Sequence, residues 1–234
     1  MKSMKLVLER WNRFVNEAVE GRKKIFVLVG PPSVGKSHWI KETFEDDIYI
    51  INRDDIVNNV ADSMGWTYDD LFVPPPKGAQ EGDVDEKYGS VVKSPAYMTW
   101  QPLSYDKVAA ANAKVHKLFT KRVSGAQPSG QNIIVDMTNM NVAARARALQ
   151  MIDDTVYEKV AVVFKFEGTE EIIKKIAAKR AAEERAEGRS KTIPPEVFDR
   201  MFKAFQEVSS EEGFDEVISV DNREALRQLA SETQ

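Results

Sequence analysis

The sequence predicts an α/β fold: a five-stranded parallel sheet flanked by helices, with a long insertion after the second strand and an arginine-rich lid. Three observations predict it. An apolar, β-branched run, Ile25 to Val29, leads directly into Gly30-Pro31-Pro32-Ser33-Val34-Gly35-Lys36-Ser37 and then into a helical pattern bearing Ile40 and Phe44. Further short apolar runs, at Ile48 to Ile51, Asn132 to Asp136, Val156 to Phe166 and Glu216 to Val220, are separated mostly by helical patterns. Two of these runs end in polar segments containing carboxylates, Asp54 and Asp136, at the strand ends where open parallel sheets hold ligands. The glycine- and lysine-containing octapeptide makes this a sheet of the P-loop type.

The chemistry of that loop follows from its residues. Glycines let the backbone turn tightly, so that successive N–H groups face one anionic centre. Lys36 adds a point charge for the β- and γ-phosphates of a nucleotide, and Ser37 opens a helix whose N-terminus faces the same phosphates while its hydroxyl can reach Mg²⁺. The expected nucleotide contacts are therefore Gly30, Pro31, Pro32, Ser33, Val34, Gly35, Lys36, Ser37 and His38, with Ser37 as the metal ligand. The loop alone does not choose between a kinase, an ATPase and a GTPase.

Composition narrows the class. A chain of 234 residues can bury the core of a single α/β domain, expected here over 1–234. With no cysteine there is no disulfide, thiolate metal site or cysteine nucleophile, and two histidines leave no zinc site. No run of the sequence has the apolar length needed to cross a bilayer, and the first twenty residues carry charges where a signal peptide would be apolar. The expected compartment is the cytoplasm, and the composition fits a bacterial or phage protein; no membrane partner is expected. Net charge is −4, so the whole molecule is no basic nucleic-acid coat, but basic residues cluster from Lys174 to Lys203 and along Lys114, Lys117, Lys121 and Arg122.

In chain order, residues 5–20 place Leu8, Trp11, Phe14, Val15, Ala18 and Val19 at helical spacing, which predicts an amphipathic N-terminal helix within 1–22. The first strand, the phosphate loop and a helix over Lys36 to Phe44 follow. The second strand ends in Asn52-Arg53-Asp54-Asp55, where one polar residue can cap the next helix and at least one carboxylate is expected to be functional. That helix carries Ile56, Val57, Val60, Ala61 and Met64 on one face. Residues 65–104 read as an irregular, proline-rich insertion whose aromatics either stack on an acceptor base or fold the insertion down. A helix runs from Ser104 to about Arg122, then a loop from Ser124 to Gln131, then the strand ending in Asp136. Asn141 can cap a helix bearing Arg145 and Arg147 on its surface. Thr169 caps a long helix toward Gly188 whose far end forms the basic segment 178–193, read as a lid with a plain charged hairpin as its alternative. Pro194-Pro195 opens a helix with Val197, Phe198, Met201, Phe202 and Phe205 inward, and a closing helix follows the fifth strand.

Four blocks in this order, GPPSVGKS, NRDD at 52–55, DMTN at 136–139 with basic residues after it, and KR…R…IPPEVF at 179–198, make the chain resemble the 5′-polynucleotide kinase family over roughly residues 25 to 220. The resemblance implies transfer of the γ-phosphate of ATP, with Mg²⁺, to a 5′-hydroxyl of DNA or RNA. It implies Asp54 as general base, Lys36 and Ser37 on phosphate and metal, and Arg53, Asp136, Asn139 and Arg145 on the acceptor side. One of Arg180, Arg185 or Arg189 would be the lid arginine. The phosphatase domain of bifunctional members is not part of the expectation, because no aspartate-rich nucleophile motif is present. The sequence departs from the phage enzymes at Val57, where they carry an arginine, and at Met137, where they carry threonine. Two other readings stay open: a related kinase for another hydroxyl, on a modified base, a nucleoside or a small molecule, and an ATP-binding interaction module without transfer.

Overall fold

A computed structural model describes residues 22–44, 48–66, 68, 71, 84–85, 90–92, 100–102, 105–186 and 193–231. The N-terminal amphipathic helix, Arg189 and much of the insertion lie outside the described residues. The chain divides into two compact units: Met1–Asn52, Lys121–Arg180 and Ile193–Gln234 form the first, Arg53–Thr120 and Ala181–Thr192 the second.

The first unit is built on five parallel strands: β1 (Lys23–Val29), β2 (Ile48–Asn52), β6 (Asn132–Asp136), β7 (Tyr157–Phe164) and β8 (Glu216–Val220), in the order β2-β6-β1-β7-β8. All four neighbouring pairs are parallel. The centre is apolar on both faces. Phe26, Leu28, Ile134, Val160, Val162 and Phe164 line one face, packed with Ile40, Ile173, Ile176, Phe198 and Leu226 from the helices; Ile25, Val27, Ile133, Val135 and Ala161 are buried on the alternate positions. Each buried Val, Leu, Ile or Phe among them contributes about 1.5–3 kcal/mol by leaving water. The outer strands are less covered, with Ile50 of β2 46% and Val217 of β8 44% exposed.

The flanking helices follow sequence signals. α1 (Lys36–Thr43) packs Trp39 edge-on against Phe44 and Phe164. α4 (Val142–Leu149) is capped by Asn141, whose side chain accepts from the Ala144 N–H at 2.8 Å. α5 (Glu170–Ala186) carries Ile173 and Ile176 into the core, and its residues from Ala181 on belong to the second unit, whereas the expected lid begins three residues earlier, in the first. α6 (Pro195–Lys203) starts with Pro195 in its first turn and buries Phe198. α7 (Arg223–Ser231) closes the unit with Leu226 inward. Lys24 at the start of β1 is buried, and its ammonium lies 3.6 Å from Glu158 and 3.5 Å from Glu216.

The second unit holds α2 (Arg53–Asp62), which buries Ile56, Val57, Val60 and Ala61, and most of α3 (Tyr105–Ala126), which buries Ala111, Val115 and Phe119 while Lys114, His116 and Lys117 face outward. Two expectations change. The insertion is not wholly irregular: β3 (Val84–Asp85), β4 (Ser90–Val92) and β5 (Trp100–Pro102) make a small antiparallel sheet, from runs too short to show a period in sequence. And α3 continues through Ser124 and Gly125, where a loop was expected, because Val123 and Ala126 are buried and hold the last turn.

Candidate functional site

The strand order puts β1 at the centre of the sheet, between β6 and β7, so the loop after it opens where the chain switches from one side of the sheet to the other. Ser33 and Gly35 both have positive φ, 62° and 101°, and such left-handed residues among ordinary ones turn successive N–H groups inward to make an anion cradle. Gly35 is required twice over, since a Cβ there would also sit 2.4 Å from the Asn222 side-chain nitrogen. The Lys36 ammonium donates to the carbonyls of its own loop, Pro31 at 2.8 Å and Gly30 at 3.1 Å. A phosphate oxygen is a stronger, charged acceptor than a neutral carbonyl, so these bonds are ones an anion can replace. Ser37 is exposed at the start of α1, and no acidic residue stands in that helix's first turn to oppose an anion. These are residues that fit a nucleotide triphosphate, with Ser37 able to hold a magnesium ion. His38, expected among the nucleotide contacts, is exposed on the helix with its Nε2 3.0 Å from Glu42.

At the carboxyl edge of the same sheet Asn52 and Asp136 are register partners, and the Asn52 amide donates to the Asp136 carboxylate at 3.0 Å. Asp136 is 9% exposed. The next residues turn back onto the phosphate loop: the Gly30 N–H donates to the Thr138 carbonyl at 2.9 Å, and the Asn139 amide donates to the Leu28 carbonyl at 2.9 Å.

Arg145 corrects the sequence reading. Expected on the helix surface and assigned to the acceptor, it is 0% exposed. Its Nε and Nη2 grip Glu212 at 2.6 and 2.7 Å, and its remaining N–H groups donate to the carbonyls of Asn139, Gln206 and Glu207 at 3.2, 3.0 and 3.2 Å. All five donors of the guanidinium are engaged, which leaves none for an acceptor strand. The Arg145 hydrogen bond, helped by the Ser209 N–H and by the guanidinium charge, holds the Glu212 carboxyl below the usual carboxylate range against the opposing effect of burial. Asn139, also expected on the acceptor side, is 1% exposed and donates its amide to the Leu28 carbonyl.

In the second unit Arg53 and Asp54 are half-buried in the first turn of α2, and the Tyr68 hydroxyl donates to Asp54 at 2.9 Å. Val57, the position of the phage arginine, is 0% exposed and packs inward. Of the lid arginines, Arg180 is exposed on α5 and Arg185 lies in the last turn of that helix. Sequence reasoning missed two residues. Tyr68 was one aromatic among many in the insertion, and Asn222, whose amide donates to the Val34 carbonyl at 2.5 Å, carries only the weak signal of lying just past a strand end.

Comparison with known proteins places this arrangement. A family model described as an AAA domain matches residues 25–208. Among solved structures, the chain is similar to a candidate kinase from Chloroflexus aurantiacus J-10-fl at TM-score 0.53 and 9% identity, covering 91% of this chain and 94% of that one. It is similar to a chain of the PezAT chromosomal toxin-antitoxin system of Streptococcus pneumoniae at TM-score 0.52 and 15% identity, covering 97% and 93%. A chain of the Pnkp1/Rnl/Hen1 RNA repair complex aligns at TM-score 0.48 and 16% identity over 94% of this chain, which spans 48% of that one's length. No curated protein sequence matches. At these identities the likeness is one of fold.

Proposed function

This chain belongs to the family of AAA domains, and on that premise we propose that it is an ATP-dependent kinase that transfers the γ-phosphate to the 5′-hydroxyl of a DNA or RNA strand. The observation that carries the reading is the phosphate loop after the central strand of the sheet; the carboxylate Asp54, in the first turn of the helix that follows β2 in the chain, is the residue the sequence offers as base. The four-block resemblance to 5′-polynucleotide kinases supports the same acceptor.

In this mechanism the loop N–H groups and Lys36 hold the β- and γ-phosphates, Lys36 exchanging the carbonyls of Gly30 and Pro31 for phosphate oxygens. A magnesium ion held at Ser37 would neutralise phosphate charge. Asp54 takes the proton of the acceptor hydroxyl as its oxygen bonds to the γ-phosphorus and the bond to the β–γ bridging oxygen breaks, releasing ADP. Tyr68 orients the Asp54 carboxylate. Arg53 and Asp136 are the acceptor-side residues, and an arginine of the lid, Arg180, Arg185 or Arg189, stabilises charge on the transferring group.

One observation favours a second reading. The buried Val57 contributes no charge where the phage enzymes have an acceptor-holding arginine, which suits a kinase acting on another hydroxyl, such as a nucleoside or a small molecule. The test is transfer of labelled γ-phosphate from ATP with Mg²⁺ to 5′-hydroxyl DNA, 5′-hydroxyl RNA, the same strands already 5′-phosphorylated, and a nucleoside mixture. Label on the 5′-hydroxyl strands and not on the phosphorylated ones is the expected result. Label on the nucleosides alone moves the assignment to the second reading, and no label with ATP still bound contradicts transfer to a strand or to a nucleoside.

A further inference from the structure

Two asparagines reach the phosphate loop from opposite sides of β1. Asn139 stands in the connection from β6 to α4, and Asn222 in the connection from β8 to α7. Each donates its amide N–H to a main-chain carbonyl of the β1–loop segment, Asn139 to Leu28 at 2.9 Å and Asn222 to Val34 at 2.5 Å. We propose that these two are positioning residues of the phosphate loop, Asn222 fixing the peptide plane that aims the Gly35 N–H at a nucleotide's phosphates and Asn139 fixing the strand end from which the loop departs.

A trans peptide is planar, so its C=O and N–H point in opposite directions. Anchoring the Val34 carbonyl on Asn222 therefore turns the Gly35 N–H the other way, into the cradle that Ser33 and Gly35 form with their left-handed backbones. Anchoring the Leu28 carbonyl on Asn139, beside the bond from the Gly30 N–H to Thr138, fixes the end of β1 from which the loop departs. Close fit marks both anchors. Asn139 adopts φ 46°, a left-handed conformation that asparagine tolerates better than most residues. Asn222 comes so near Gly35 that no side chain fits between them.

The unused half of each amide separates this role from ordinary packing. The Oδ1 atoms of Asn139 and Asn222 are buried and have no hydrogen-bond partner among the described residues. A buried carbonyl left unpaired is costly, and an amide serving stability alone is normally satisfied at both ends. Gln127 of the same unit shows that ordinary case: its Nε2 donates to Val123 and Met151 at 3.2 and 2.8 Å, and its Oε1 accepts from the Asp153 N–H at 2.8 Å. Asn139 and Asn222 are held for their donors.

The proposal rests on nucleotide binding at this loop and not on the identity of the acceptor. Its test measures the affinity of ATP and of inorganic tripolyphosphate, together with thermal unfolding, for the full chain and for Asn222→Ala, Asn139→Gly and Gln127→Ala. Glycine at 139 keeps the left-handed backbone while removing the amide. Both asparagine variants are expected to weaken ATP and tripolyphosphate alike, by about fivefold to thirtyfold, the loss of one oriented hydrogen bond or two. Gln127→Ala is expected to unfold at lower temperature and to keep ATP affinity within about twofold. Asparagine variants that fold and bind both ligands like the parent overturn the positioning role alone, as does a loss in Gln127→Ala that matches theirs. A parent chain that binds neither ligand overturns the nucleotide reading and this proposal with it.

Discussion

Two cations in the first unit, Arg145 and Lys36, sit in opposite situations. Arg145 is fully buried, and every donor of its guanidinium has a partner, two of them the oxygens of one carboxylate. Lys36 is half-buried and holds the carbonyls of Gly30 and Pro31 in its own loop. A charge paired with a buried counter-ion is fixed, because separating the two leaves each without solvent or partner. Hydrogen bonds to neutral carbonyls, such as those Lys36 makes to Gly30 and Pro31, can be exchanged for those of an anion that offers more. What a positive group would lose by moving separates structural from functional charge.

Removing Arg145 carries the largest expected effect. Arg145→Ala leaves Glu212 buried without its partner and should cost about 3–5 kcal/mol of stability, read as a lower denaturant midpoint; a loss below about 1 kcal/mol would place Arg145 with the exchangeable charges. Lys36→Ala should do the reverse. It is expected to lower phosphoryl transfer by about 10²–10³-fold, as loss of a group stabilising transition-state charge does, while the melting temperature stays near the parent's. Acid sharpens the fixed side of the contrast. The Glu212 carboxyl is held below the usual carboxylate range chiefly by the Arg145 hydrogen bond, so its stabilisation is fully present above the unfolded carboxyl's range and is lost as pH falls through the lowered folded value. Glu212→Gln should therefore be less stable than the parent at neutral pH, with the gap narrowing in acid; a gap constant with pH would contradict the pairing. The smallest effect belongs to Tyr68→Phe. Removing the hydroxyl that orients Asp54 should lower the transfer rate by about twofold to tenfold without changing ATP affinity.

The fixed and exchangeable groups also differed in how far sequence revealed them. The phosphate loop was legible because its chemistry is local: a buried strand, a glycine-bounded turn and a helix start within some twenty residues. The strand Asn132–Asp136, the cap at Asn141 and the proline start of α6 were legible for the same reason. Arg145 was not, because its burial depends on Glu212, 67 positions away, and a helical pattern alone sends an arginine outward. Asn222 was hidden likewise, its partner Val34 being 188 positions off. The small sheet β3–β5 escaped since two- and three-residue strands carry no readable alternation. Asp54 was singled out by its strand-end position, and its hydrogen bond to Tyr68 ties the insertion to it.

In the proposed mechanism labour is divided, with the phosphate loop binding the donor and Asp54 activating the acceptor. Its most direct test is Asp54→Asn, a near-isosteric change that removes the base, with ATP affinity and single-turnover transfer to a 5′-hydroxyl oligonucleotide measured on the same preparation. The account predicts ATP affinity within about twofold of the parent and transfer slowed by about 10²–10⁴-fold, the range that general-base catalysis supplies. Full transfer by Asp54→Asn, or a collapse of ATP binding that accounts for the lost rate, would contradict it.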